Sequence, residues 1–185
     1  MSLFQYYVAA TVDGFIASPD DDLAWLLQFD QVDGVNESIG SFMAGVGCIA
    51  MGGDTYRWLI EHEPDNWPYP ETPCWVFTHQ DYVAPAGSDI TFVRGDVRSF
   101  APDLLKAAGD RNVWLVGGGD LVAQFADAGL LHEMIVTIIP VVLGAGKRLL
   151  PLKGPTAPLE LVSSRILGGA AAELHYRMPQ SVTTG

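Results

Sequence analysis

The stretch Asn112-Val113-Trp114-Leu115-Val116-Gly117-Gly118-Gly119-Asp120-Leu121 decides how the chain is read. Its run of bulky apolar residues, Val113 to Val116, reads as a strand buried on both faces. Three glycines follow, and then a helical pattern with Leu121, Val122 and Phe125 on one side. A strand that turns through glycine straight into a helix leaves unpaired backbone N–H groups at the positive end of the helix dipole. Such a turn holds a phosphate or a diphosphate. Without Cβ atoms the ligand can approach the backbone closely. One glycine would suffice for a tight turn with no ligand, so a run of three favours a cradle.

A second junction of this kind lies upstream. The apolar run Val46–Met51 ends in Gly52-Gly53-Asp54-Thr55, and Tyr56–Ile60 is helical. Phe4–Val12 is dense in aromatic and β-branched residues and reads as a strand. It turns at Asp13-Gly14 and resumes as Phe15-Ile16-Ala17. Pro19 and the acids Asp20, Asp21 and Asp22 open a helix at Leu23, with capping as their ordinary work. Asp33–Ala44 and Ser99–Ala108 read as helices, the second capped by Ser99. Cys74–Thr78 is a buried strand ending at His79, and Ile90–Val93 a short one closed by Arg94-Gly95. The segment Glu63–Pro73, with four prolines around Trp67 and Tyr69, reads as a surface loop. Glu133–Leu143 is a long strand interrupted by Pro140, and Leu159–Ile166 with Ala172–Arg177 form a hairpin. Strands alternating with helices and then a hairpin make an α/β fold, its sheet mainly parallel with an antiparallel edge. One domain is expected over 1–178, with a flexible tail at 179–185.

Bulk properties narrow the function. A chain of 185 residues with 49% hydrophobic and 17% charged residues is globular and has a sizeable core. No run of about eighteen apolar residues is present to span a membrane. No basic segment precedes the first strand, so a cytoplasmic protein is expected. The net charge of −12 opposes nucleic acid and anionic membranes, which leaves a small molecule as the partner. Salt screens that field over roughly 8–10 Å, so a polyanionic cofactor held by local N–H groups is not forbidden. Cys48 and Cys74 have apolar neighbours and read as buried free thiols; no metal site is expected.

The dinucleotide fingerprint fails here, because Gly117-x-Gly119-x-x-Val122 has valine where a third small residue is needed. No Gly-Lys-Ser/Thr is present, which excludes a P-loop. Four segments fit another pattern in order and spacing: Thr11–Ala17, Met51–Tyr56, Val116–Leu121 and Thr137–Gly144. Together they resemble the dihydrofolate-reductase-like superfamily. Within it the chain most resembles the reductase family named for the C-terminal domain of the bacterial bifunctional deaminase–reductase of riboflavin biosynthesis. The resemblance implies a three-layer sandwich, a mixed, mostly parallel eight-stranded sheet with helices on both faces, binding extended NADPH. It implies that Ala10 and Ile16 flank the nicotinamide. Gly52, Gly53, Asp54 and Thr55 would meet the diphosphate from one helix start, and Gly117, Gly118, Gly119 and Asp120, with Leu121, from the other. The family usually carries Arg or Lys in the place of Gly53, so preference for NADPH over NADH stays open. Thr78, His79 and Arg94, at strand ends, are the candidates to replace that contact.

The activity implied is reduction of the 5-amino-6-(5-phosphoribosylamino)uracil type, hydride passing to a C=N or C=O of a small heterocyclic or sugar-derived substrate. Such a step also needs a proton. A carboxylic acid beside Phe15 and Trp25 would have its pKa raised by desolvation, each unit corresponding to about 1.4 kcal/mol. Asp22-Leu23-Ala24-Trp25-Leu26 resembles the segment with the substrate-binding carboxylate of dihydrofolate reductases. Asp22 is therefore the first catalytic candidate, with Trp25 at the substrate. Asp13 is the second, and could equally be a turn residue accepting local N–H groups. Thr137 is a candidate to hold the substrate ring. A ribosyl phosphate would call for Arg or Lys beside the pocket, yet Asp33–Ala44 has none and the nearest by motif are Lys147 and Arg148. Two other functions stay open, a dihydrofolate or pterin reductase and a non-catalytic nucleotide-binding protein. The apolar run 134–143 and the many Trp and Tyr residues point to a homodimer.

Overall fold

Period-two alternation sets the first element. In β1 (Phe4–Thr11), Tyr6 and Ala10 turn into one fully buried core while Tyr7 and Ala9 face the other side of the sheet. The chain then runs through β2 (Phe15–Ala17), α1 (Ala24–Leu27), α2 (Val35–Met43), β3 (Val46–Gly52), α3 (Gly53–His62), β4 (Cys74–Phe77) and β5 (Ile90–Val93). It continues as α4 (Val97–Ala108), β6 (Asn112–Gly117), α5 (Gly119–Asp127), β7 (Glu133–Ile139), β8 (Lys147–Arg148), β9 (Glu160–Leu167) and β10 (Ala171–Arg177). This computed structural model describes residues 2–29, 32–64 and 66–179. Residues 180–185 of the expected tail lie outside them.

The eight-stranded sheet has the order β5-β4-β3-β6-β1-β7-β10-β9. The first six strands are parallel; β10 runs antiparallel to β7, and β9 antiparallel to β10. The three-layer, mixed-sheet architecture expected from the sequence is the one found. Helices α4 and α5 close one face over Phe4, Leu104, Leu115, Val122 and Phe125. Helices α2 and α3 lie on the other, over Ile49, Met51 and Tyr56. Covered on both faces, β3 is buried over six of its seven residues. Cys48 and Cys74 are buried free thiols; burial pushes the Cys48 thiol up to about 12.

Several boundaries shift for local reasons. Helix α4 begins at Val97 because Asp96, not Ser99, is its cap, accepting a hydrogen bond from the Arg98 N–H at 2.8 Å. Strand β7 stops at Ile139, before Pro140, which has no N–H for the ladder. It pairs with β1 on one side and β10 on the other, so the run expected to carry a homodimer has no free edge. The proline-rich loop folds inward: Trp67 packs on Tyr56 and Tyr69 on Trp114. Among the described residues no helix is long and apolar enough to cross a membrane.

Candidate functional site

Parallel pairing brings the two glycine junctions side by side. Met51 of β3 is in register with Gly117 of β6, so both strands end at the same level and α3 and α5 start next to each other. Neither start is closed by a side chain: Gly52 caps α3 and Gly118 caps α5 with no side-chain hydrogen bond. Helix α4 makes the contrast, with Asp96 capping it. Apart from the Leu121 N–H, which donates to the Gly118 carbonyl at 3.1 Å, the first-turn N–H groups of α3 and α5 therefore remain available donors, with two helix dipoles behind them. Close approach makes glycine obligatory at one position. A Cβ on Gly119 would stand 2.2 Å from the Arg148 carbonyl oxygen, because β8 crosses that helix start. At Gly118 a Cβ would have nothing within 4 Å, so the concavity is open to a ligand. At Gly53 a Cβ would stand 2.8 Å from Thr78 Oγ1, so a side chain there would have to displace Thr78.

These junctions form one wall of a cavity of about 810 Å³. It lies at the carboxyl ends of β3, β6, β1 and β7, the place where open parallel sheets take ligands. Its other half is aromatic. Tyr7 stacks on Phe42 at 4.5 Å, and Trp114 meets both Phe42 and Tyr69 edge-on at 5.7 Å. Asp21, beside the glycine junctions, is held by Lys147 at 3.4 Å and Arg57 at 3.6 Å.

Behind the aromatic half lies a buried polar chain that the sequence reading did not find. The Tyr7 hydroxyl donates to Ser38 Oγ at 3.0 Å. Ser38 Oγ accepts from the Arg165 guanidinium and donates to Glu173 Oε2, while Arg165 Nε donates to Glu173 Oε1 at 2.6 Å. Ser38 is 2% and Glu173 8% exposed, so these partners are what makes burial of the carboxylate tolerable. Burial pushes the Tyr7 phenol up, with its hydrogen bond to Ser38 opposing; the Glu173 hydrogen bond pushes Arg165 up. No sequence motif marks this chain. Only Glu173, set between Ala172 and Leu174 in the hairpin strand, hinted at it.

The expected site residues divide cleanly. Ile16, Gly52, Gly53, Asp54, Thr55, Gly117, Gly118, Gly119, Asp120, Leu121 and Thr137 all line the cavity. Ala10 does not, because strand alternation turns it into the core; Ala9 takes its place. Thr78 abuts Gly53 but accepts a hydrogen bond from the Gln80 N–H at 3.0 Å, and Arg94 is bound to Asp81 at 2.5 Å. Neither of them, nor the exposed His79, reaches the cavity. Asp22 is exposed and accepts a hydrogen bond from the Ala24 N–H at 2.8 Å, so it does not supply the buried acid expected there. Asp13 pins the turn, accepting from Thr11 Oγ1 at 2.6 Å and the Gly144 N–H at 2.7 Å. Those bonds, Thr11 first, hold its carboxyl below the usual carboxylate range. Trp25 packs with Ile139 and Leu167 outside the cavity lining. Tyr69, assigned to a surface loop, is instead a cavity wall.

Comparison with known proteins agrees with this geometry. The sequence model of the RibD C-terminal domain matches residues 4–171. The uncharacterized protein YwjB of Bacillus subtilis (strain 168) is 33% identical over 175 residues, covering 92% of this chain and 94% of its own. A Shewanella sp. PV-4 structure, assigned to riboflavin biosynthesis, superposes with a TM-score of 0.82 at 24% identity, over 96% of this chain and 99% of that one. Dihydrofolate reductase from Enterococcus faecalis, complexed with NADP(H), gives a TM-score of 0.61 at 13% identity, over 95% and 96% of the two chains. These structural likenesses show the fold.

Proposed function

The chain belongs to the RibD C-terminal domain family, and from that premise we propose that it is an NADPH-dependent reductase of the riboflavin-pathway type. It would add hydride and a proton across a C=N or C=O of a small heterocyclic or sugar-derived substrate. The adjacency of two uncapped, glycine-led helix starts on one cavity carries this reading. The residues fit a dinucleotide. Backbone N–H groups of the first turns at Gly53–Thr55 and Gly119–Asp120 would hold its diphosphate, each helix end contributing roughly 0.3–1 kcal/mol through its dipole. Ile16 and Ala9 would flank the ring. When bound, the nicotinamide supplies the hydride.

The chain's own part is positioning. Phe42, Tyr69 and Trp114 exclude water from the reacting end, which strengthens each polar contact made there. Tyr7 and Thr137 are the polar groups that fix the substrate, and the Ser38–Glu173–Arg165 chain holds the Tyr7 phenol in place. A pterin reductase is the second reading, favoured by the aromatic character of that half. The test is calorimetric titration with NADPH, followed by loss of reduced-cofactor absorbance with a pyrimidine ribosyl phosphate and with dihydrofolate in parallel. Binding with turnover of either compound supports the assignment. Absence of NADPH binding refutes it, and binding without turnover of any heterocycle leaves a nucleotide-binding protein.

A further inference from the structure

We propose that the Asp21 carboxylate is a built-in competitor for the cofactor's diphosphate: it occupies Arg57 and Lys147, and yields both when a dinucleotide binds. This rests on the reductase reading above and adds a control to it. Asp21 joins α3 to β8, the elements beside the start of α5. Its Oδ2 meets Arg57 at 3.6 Å, and its Oδ1 meets Lys147 at 3.4 Å. Asp21 and Lys147 line the cavity together with residues 52–55 and 117–120. Lys147 precedes Arg148, whose carbonyl oxygen crowds Gly119, and Arg57 follows Gly53 by one turn of α3. The carboxylate thus lies between two cations that flank the glycine junctions, where the dinucleotide's own anion is proposed to sit. Arg148 lines the same wall and has no ion pair among the described residues. An incoming diphosphate finds one unengaged cation and gains two more by displacing Asp21.

Little resists the exchange. The side chains of Asp21, Arg57 and Lys147 are 35%, 39% and 43% exposed, so each pair is wet, contributes little and breaks readily. Residues 18–22 form a tight turn closed on itself. The Asp21 N–H donates to the Ser18 carbonyl at 3.2 Å and the Asp22 N–H to Ser18 Oγ at 2.9 Å. Among the described residues the hydrogen bonds of this turn stay within 18–24, and the Asp21 ion pairs are its polar ties to α3 and β8. Asp21 is also the one non-glycine residue among those described with a left-handed backbone, at φ 62°. Aspartate and asparagine tolerate that conformation better than other side chains do, so the charge can be removed without disturbing the turn. A diphosphate entering beside an undisplaced Asp21 would meet a like charge and share each cation with it. Turning the carboxylate out to solvent leaves both cations to the more highly charged group.

The test is calorimetric titration of the full chain with NADPH at low ionic strength. Asp21→Asn should bind NADPH about three- to tenfold tighter than the wild type, the range that two part-exposed ion pairs supply. Asp20→Asn removes the same charge from an exposed neighbour off the cavity and should stay within about twofold. Lys147→Gln should weaken binding more in the Asp21→Asn background than in the wild type, since there the lysine no longer gives up a partner. Unchanged or weaker binding by Asp21→Asn overturns the inference, because Asp21 then positions the cations instead of competing for them. An equal gain in Asp20→Asn overturns it too, by assigning the effect to net charge. If the wild type binds NADPH in either of those cases, the reductase reading survives alone. If neither the wild type nor Asp21→Asn binds NADPH, that reading falls and this one with it.

Discussion

Replace Gly118 and Gly119 by alanine, one at a time, and the two variants should fail in different ways. Gly118 has φ −67° and ψ 176°, a backbone any residue adopts, and an added Cβ meets nothing within 4 Å. Its methyl group stands in the concavity before the first turn of α5, where the diphosphate is proposed to sit. Folding stability should change by no more than about 0.5 kcal/mol. The methyl would push one phosphate oxygen off its N–H donors. A hydrogen bond to a charged group is worth about 1.5–3 kcal/mol, so NADPH should bind roughly ten- to a hundredfold more weakly. Gly119→Ala sets a Cβ 2.2 Å from the Arg148 carbonyl oxygen and 3.0 Å from that of Leu149. Those atoms are backbone and yield only if β8 moves, which costs about 1–3 kcal/mol as overpacking does in cores. Its Tm should fall by several degrees. Calorimetric NADPH titration and thermal unfolding by circular dichroism, on the same preparations, read both effects. Wild-type NADPH affinity in Gly118→Ala would refute the cradle, and an unchanged Tm in Gly119→Ala would refute the close approach of β8.

Three other perturbations have defined outcomes. Glu173→Ala removes the partner of Ser38 and Arg165, and since Arg165 is about half exposed the loss should be near 2 kcal/mol, below that of a fully buried pair, measured by urea unfolding. Asp22→Asn should leave turnover within about twofold, because the Asp22 carboxylate accepts from the Ala24 N–H outside the cavity and an asparagine Oδ1 accepts equally well; a large drop would restore it to the mechanism. Acidification should cost stability at His132. Burial lowers its pKa below the ordinary value, and its Nδ1 accepts from the Phe4 N–H only when unprotonated. The contribution is complete above the unfolded-state value near 6.5 and is lost as pH falls from there through the folded value, with a slope of at most about 1.4 kcal/mol per unit. His132→Asn should flatten the Tm profile between pH 7 and 5 (about the range where free histidine titrates).

The glycine-led half of the site was legible in the chain because its information is local. Glycine at 52, 53 and 117–119, an apolar run before and a helical period after, fix backbone geometry within about ten residues. The same locality explains the errors. Asp22 looked like a substrate carboxylate from its neighbours in sequence, but its nearest donor in space is the Ala24 N–H. Ala10 was chosen one residue off, and a period of two turned that into the opposite face of the sheet.

The sequence by itself determined the α/β alternation, the antiparallel hairpin at the end and the two helix starts that can meet an anion. Tertiary structure decided what stands opposite them. Ser38 and Glu173 are 135 residues apart and meet because β10 returns beside β7 while α2 covers that face. Tyr69 joins Trp114 because a proline-rich loop folds back over the sheet. Backbone conformation is a short-range property, whereas the chemical surroundings of a side chain depend on which distant strand is laid next to it.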